Sequence, residues 1–65
     1  MILVNGERSD VAPGTTVSEL LAGLDAPDRG VAVALDGEVV PRGAWARTAI
    51  ADEVRVEVVM AVQGG

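Results

Sequence analysis

The sequence contains no cysteine, histidine, lysine, phenylalanine or tyrosine, and tryptophan occurs once. Without cysteine or histidine there can be no disulfide scaffold, zinc finger, iron–sulfur site or thiol chemistry. The usual nucleophiles and near-neutral bases are missing for the same reason. Ser9, Ser18 and the threonines have no base to activate them. Asp52 and Glu53 are adjacent, so in a strand their carboxylates would point to opposite faces. These absences leave no candidate catalytic side chain, no metal site and no bound cofactor. A self-contained enzyme is not expected, and the residue inventory points to a carrier, a binder or a subunit.

Basic charge is also scarce. Ten acids stand against five arginines, the net charge is −5, and the arginines form no run. Nucleic acid and anionic membrane surfaces, which require clustered Lys and Arg, are not expected partners. An acidic chain is steered instead toward a basic face on another protein. No apolar stretch approaches the ~20 residues of a membrane span, and the polar residues 5–10 interrupt the apolar start too early for a signal peptide. The expectation is a soluble, cytoplasmic domain.

What the sequence does contain is small apolar residues. Apolar residues of all sizes make up 49% of its 65 positions, and 12 Val and 10 Ala outnumber 5 Leu, 2 Ile and 2 Met. A chain this short forms one domain, buries only ~60% of its unfolded surface and keeps a margin of ~3–5 kcal/mol. Abundant valine with almost no aromatic residue predicts strands over a thin core.

Local signals order the elements. Met1-Ile2-Leu3-Val4 is a strand that is apolar on both alternations, which predicts a place inside the sheet or cover on both faces. Asn5-Gly6 is a two-residue hairpin turn leading to a second strand within residues 7–12. After Pro13-Gly14, Thr16 and Glu19 form a capping box, and Val17, Leu20, Leu21 and Leu24 follow on one helical face. Pro27 disfavours helical geometry at Ala26, so the helix ends by residues 25–27. Val31-Ala32-Val33-Ala34-Leu35, the turn Asp36-Gly37 and Glu38-Val39-Val40 make a second hairpin, and Pro41 closes it at a sheet edge. A turn of helix is expected within residues 43–51. The last strand, residues 54–59, buries Val54, Val56 and Val58. Hairpin, helix, hairpin and final strand make the plan of an α+β, β-grasp (ubiquitin-like) domain. Its mixed four- to five-stranded sheet is covered by one main helix.

The chain ends Ala61-Val62-Gln63-Gly64-Gly65. Residues 1–60 are read as the domain and 61–65 as a flexible tail, because nothing in Gln63, Gly64 and Gly65 can be buried to offset ~1–2 kcal/mol per residue of backbone ordering. Taken alone, such an end is an ordinary frayed terminus. Joined to a β-grasp plan it has a use. Two residues without a Cβ can thread a partner's narrow channel, and five extended residues reach ~17 Å. The Gly65 carboxylate is then the group open to activation by another enzyme.

These segments together resemble the ThiS family of ubiquitin-like sulfur carriers of thiamin thiazole synthesis. The resemblance rests on Ile2-Leu3-Val4-Asn5-Gly6, Gly14-Thr15-Thr16-Val17-Ser18-Glu19-Leu20-Leu21 and residues 31–42 through Val40-Pro41-Arg42. Trp45-Ala46, Val54-Arg55-Val56-Glu57-Val58-Val59 and the terminal Gly-Gly complete it. One departure is Ala51-Asp52-Glu53, where the family often has Asp-Gly-Asp. The resemblance implies that a ubiquitin-activating-like adenylyltransferase uses ATP and magnesium to adenylate Gly65. A persulfide donor then converts the carboxylate to a thiocarboxylate, and a thiazole synthase takes the sulfur. The small subunit of molybdopterin synthase, a ubiquitin-like protein modifier and a plain interaction module are the alternatives.

Other residues are read with less consequence. Trp45 is read as a lid on the core with its indole N–H on a backbone carbonyl, in preference to a partner-binding anchor. Arg42 has an acidic loop or a partner as candidate mates. Val59, Met60 and Val62, where the last strand meets the tail, are a candidate docking patch, weighed equally against burial. The acids Glu38, Asp52, Glu53 and Glu57 are read as a solvated face, and Gln63 as a tail residue.

Overall fold

Two turns set the strand connections. Asn5 and Gly6 have φ of 50° and 85°, and Asp36 and Gly37 have φ of 49° and 84°. Positive φ at both central positions is the type I′ hairpin geometry, whose twist matches that of paired strands. The structure is a computed structural model, and it describes residues 1–27 and 29–60. In it β1 (Ile2–Val4) pairs antiparallel with β2 (Glu7–Ser9), and β3 (Val31–Leu35) pairs antiparallel with β4 (Glu38–Val40). The last strand, β5 (Arg55–Met60), lies between the hairpins, parallel to β1 and antiparallel to β3. The described residues thus form a five-stranded sheet in the order β2-β1-β5-β3-β4.

The helix α1 (Val17–Gly23) begins as the capping box requires. Thr16 Oγ1 accepts from the Glu19 amide at 3.2 Å, and Glu19 Oε1 accepts from the Thr16 amide at 2.9 Å. The Val17 N–H, another donor left over at a helix start, reaches the Thr48 carbonyl at 3.0 Å. The helix closes in a Schellman arrangement. Asp25 takes φ 56° and donates to the Ala22 carbonyl, while Ala26 donates to that of Leu21. A 3-10 helix, Arg42–Arg47, follows β4 and packs beside α1.

Ile2, Val17, Leu20, Leu21, Val33, Trp45, Ile50, Val54, Val56 and Val58 form the core between α1, the 3-10 helix and one face of the sheet. One expectation needs correction here. Leu24 is 43% exposed, because the Schellman turn carries the chain off the helix axis before a third turn can form. β1 lies inside the sheet, as its apolar run predicts. Leu3 is 37% exposed on the face opposite α1, where no second layer packs among the described residues. The second strand is also shorter than residues 7–12, and β5 runs from Arg55 to Met60.

The loop before β5 is tied to the start of β1. Glu53 N–H donates to the Met1 carbonyl at 2.8 Å, and the Met1 ammonium pairs with the Asp52 carboxylate. The hydrogen bond to Asp52 holds the ammonium pKa above its ordinary value, and the ammonium holds that of Asp52 below its own. The raised group contributes in full below the ordinary amine value and loses its effect as pH rises through the folded one. The lowered group contributes above the ordinary carboxylate value and loses its effect as pH falls through the folded one. Both groups are exposed, so the pair adds little to stability.

Leu21 is 5% exposed under the sheet. Leu21→Ala is expected to cost ~2–5 kcal/mol, comparable to the whole margin of so small a domain. Urea unfolding followed by circular dichroism measures it, and a midpoint equal to wild type would refute this placement.

Candidate functional site

Alternation along β5 decides where each residue near its end points. Val54, Val56 and Val58 are buried against the helix, so Arg55, Glu57 and Val59 face the other way. On β3 the same outward face carries Ala32 and Ala34, and on β4 it carries Val39. Registers Ala32↔Val59, Ala34↔Glu57 and Ala34↔Val39 bring them together. Val59 and Val39 are 62% and 69% exposed. The result is a shallow patch of small apolar side chains bordered by Glu57, flat enough for another protein's surface and offering no enclosed pocket.

Of the candidate docking residues, Val59 stands in this patch. Met60 is opposite Val31 and follows the helix-side alternation of β5, at the open end of the sheet, where it is 44% exposed. Val62, Gln63, Gly64 and Gly65 lie outside the described residues, as does the whole proposed tail, 61–65. Val39, Ala32 and Ala34 were not singled out from the sequence. The signal was present in the alternation of Val31-Ala32-Val33-Ala34-Leu35, which separates large core residues from small outward ones.

Trp45 takes the structural role. It is 9% exposed, and its Nε1 donates to the Val40 carbonyl at 2.9 Å, closing the core where β4 ends at Pro41. Arg42 lies over the indole, with its guanidinium carbon 5.9 Å from the ring centroid. Among the described residues its mate is the aromatic face. Asp36 Oδ1 accepts from the Arg55 amide at 2.9 Å, so the second turn also holds the start of β5. Among the described residues no helix is long and apolar enough to cross a membrane.

Known proteins share this arrangement. A family model described as "ThiS family" matches residues 2–65. The sulfur carrier protein ThiS of Escherichia coli (strain K12) is 36% identical over 64 residues, which are 98% of this chain and 97% of that protein. A thiazole synthase of Paramagnetospirillum magneticum (strain ATCC 700264 / AMB-1) is 34% identical over 64 residues. That match takes in 98% of this chain but 20% of that protein. Among solved structures, the crystal structure of the thiamine biosynthesis protein (ThiS) from Geobacter metallireducens superposes with a TM-score of 0.81 at 37% identity. It covers 98% of this chain and 97% of the other. A solution structure of a thiamine biosynthesis protein from the same organism gives 0.80 at 36% identity, covering 98% and 86%.

The role of Trp45 can be tested directly. Trp45→Phe keeps the ring but removes the indole N–H, leaving the partly buried Val40 carbonyl without its partner. A loss of about 1–3 kcal/mol is expected, read as a lower melting midpoint by circular dichroism. Unchanged stability would return Trp45 to the class of partner anchors.

Proposed function

The chain belongs to the ThiS family, and from that membership we propose that it is a sulfur carrier for thiamin biosynthesis whose working group is the Gly65 carboxylate. The observation that carries this reading is the match along nearly the full length of both chains to a sulfur carrier protein. The residue inventory supports it, since an activatable terminal carboxylate asks for no nucleophile or base within the chain.

The chemistry belongs to the partners. An adenylyltransferase resembling ubiquitin-activating enzymes binds ATP and magnesium and brings the Gly65 carboxylate to the α-phosphorus. The carboxylate oxygen attacks, pyrophosphate leaves, and an acyl adenylate forms. A persulfide sulfur on a donor then attacks the acyl carbon and displaces AMP. A thiol cleaves the resulting acyl disulfide and leaves a thiocarboxylate on Gly65. Activation makes the carboxylate an electrophile, and the sulfur it gains makes it a nucleophile. Because this reaction consumes ATP, the reading includes a cytoplasmic location. With no lysine or cysteine, other copies of the chain offer no side-chain amine or thiol to the activated acyl group.

The sulfur acceptor in this reading is a thiazole synthase. A stretch similar to this chain within a thiazole synthase supports a carrier and a synthase working in contact. The outward patch of Val39, Ala32, Ala34 and Val59 supplies a docking surface on the sheet that β5 leaves on its way to the tail. Net charge −5 favours basic partner faces around that patch.

Incubation with ATP, magnesium, a cognate adenylyltransferase and a persulfide donor should replace one oxygen of Gly65 by sulfur. Intact-protein mass spectrometry reads the increment, and fragmentation assigns it to the last residue. Deleting Gly65 pulls the carboxylate back by roughly 3.5 Å and should abolish the reaction while leaving the fold unchanged. Gly65→Val should do the same through its branched Cβ. A deletion variant activated as fast as wild type would contradict the mechanism.

A further inference from the structure

Asn5 does more than form a turn. In the parallel ladder between β1 and β5, Leu3 N–H donates to the Val54 carbonyl at 3.1 Å and Asn5 N–H to that of Val56 at 2.8 Å. One more rung would need the Asn5 carbonyl to accept from Val58 N–H and the N–H of residue 7 to reach the Val58 carbonyl. The turn at Asn5-Gly6 carries both of those backbone groups away toward β2. The Asn5 side chain takes their place. Its Oδ1 accepts from Val58 N–H at 2.8 Å, and its Nδ2 donates to the Val58 carbonyl at 3.1 Å.

The second turn shows why this residue is an amide. Asp36 occupies the equivalent first turn position and grips Arg55 from the β3 side. Its backbone N–H donates to the Arg55 carbonyl at 2.8 Å, and its carboxylate accepts from the Arg55 amide at 2.9 Å. A carboxylate suffices there because the backbone supplies the donor. At Asn5 the backbone N–H is already engaged with Val56, so the side chain must supply donor and acceptor together. Asparagine does so and also tolerates positive φ.

We propose that Asn5 is a positioning residue for the reaction at Gly65. By clamping both backbone groups of Val58, it extends the grip on β5 beyond the point where β1 ends and keeps that end of the strand from fraying. This deepens the carrier reading and rests on it. A strand end held on one side by β3 and on the other by Asn5 is fixed at Val58, and a partner that works on Gly65 meets a firm base. A strand end held on one side only can fray, and the partner must then order it before the reaction.

Asn5→Gly separates clamp from turn, because glycine adopts the positive φ freely but has no amide side chain. Two readouts are needed. Hydrogen exchange at the Val58 amide should become about tenfold faster relative to Val56, the loss expected for two partly buried hydrogen bonds. In thiocarboxylate formation by the adenylyltransferase and persulfide donor, kcat should fall about tenfold with KM unchanged, since the docking patch is intact. Ile50→Val, a core change remote from the end of β5, should lower stability yet leave kcat alone. If Asn5→Gly does not fold, Asn5→Asp keeps the acceptor and the turn but loses the donor, and should show smaller shifts in both readouts. Wild-type kcat in the clamp variant, or unchanged exchange at Val58, overturns the proposal. A wild-type chain that gains no sulfur sinks the carrier reading and the positioning role with it, while the exchange ratio still decides whether the clamp exists.

Discussion

The pairing of β5 between β1 and β3 is the interaction on which the rest of this small domain depends. It joins the last described strand to the first, across more than fifty residues, as the Asn5 hydrogen bonds to Val58 show. Loop-closure entropy is lost before such pairing returns anything, so the strand must be gripped well. Both hairpins contribute a turn residue to that grip, Asp36 at its start and Asn5 near its end. The inward valines of β5 complete the core under α1, and its outward residues build the patch with β3 and β4. The core and the outward patch thus share one strand.

Much of this was legible because it is local. Type I′ turns need two residues that tolerate positive φ, and Asn5-Gly6 and Asp36-Gly37 state that requirement in the sequence. Thr16 and Glu19 announce the helix start in the same way, and the limits of β3 and β4 follow from their flanking turns. The lid role of Trp45 was readable from the lone indole beside Pro41. What escaped is non-local. The order of the sheet depends on which strands meet after collapse, and no short pattern specifies that. The exposure of Leu3 follows from the uncovered outer face and not from the run Ile2-Leu3-Val4 itself. Leu24 fits the helical period but lies past the turn that ends the helix. The patch residues Val39, Ala32 and Ala34 become neighbours of Val59 only through register. The second use of Asn5 was hidden by its obvious first one.

The division of labour between this chain and its proposed partners follows from the same economy of residues. A carrier that lacks cysteine, histidine and lysine keeps an activated acyl group away from its own side chains. In the proposed reading the fold has two tasks, to offer a recognisable face and to hold the end of β5 in place. The shallow patch of alanine and valine answers the first, and the clamped end of β5 answers the second. Neither requires a pocket, which fits a protein whose reactive group is worked on inside other enzymes.

Sulfur transfer itself is the most direct test of the carrier claim. The chain is loaded at Gly65 with a heavy isotope of sulfur, freed of the donor and given to thiazole synthase and its remaining substrates for a single turnover. The thiazole formed is then weighed by mass spectrometry. The account predicts one heavy sulfur in each ring and a carrier returned to its carboxylate form. Thiazole formed at the same rate without the label, with the heavy sulfur still on Gly65, would contradict it.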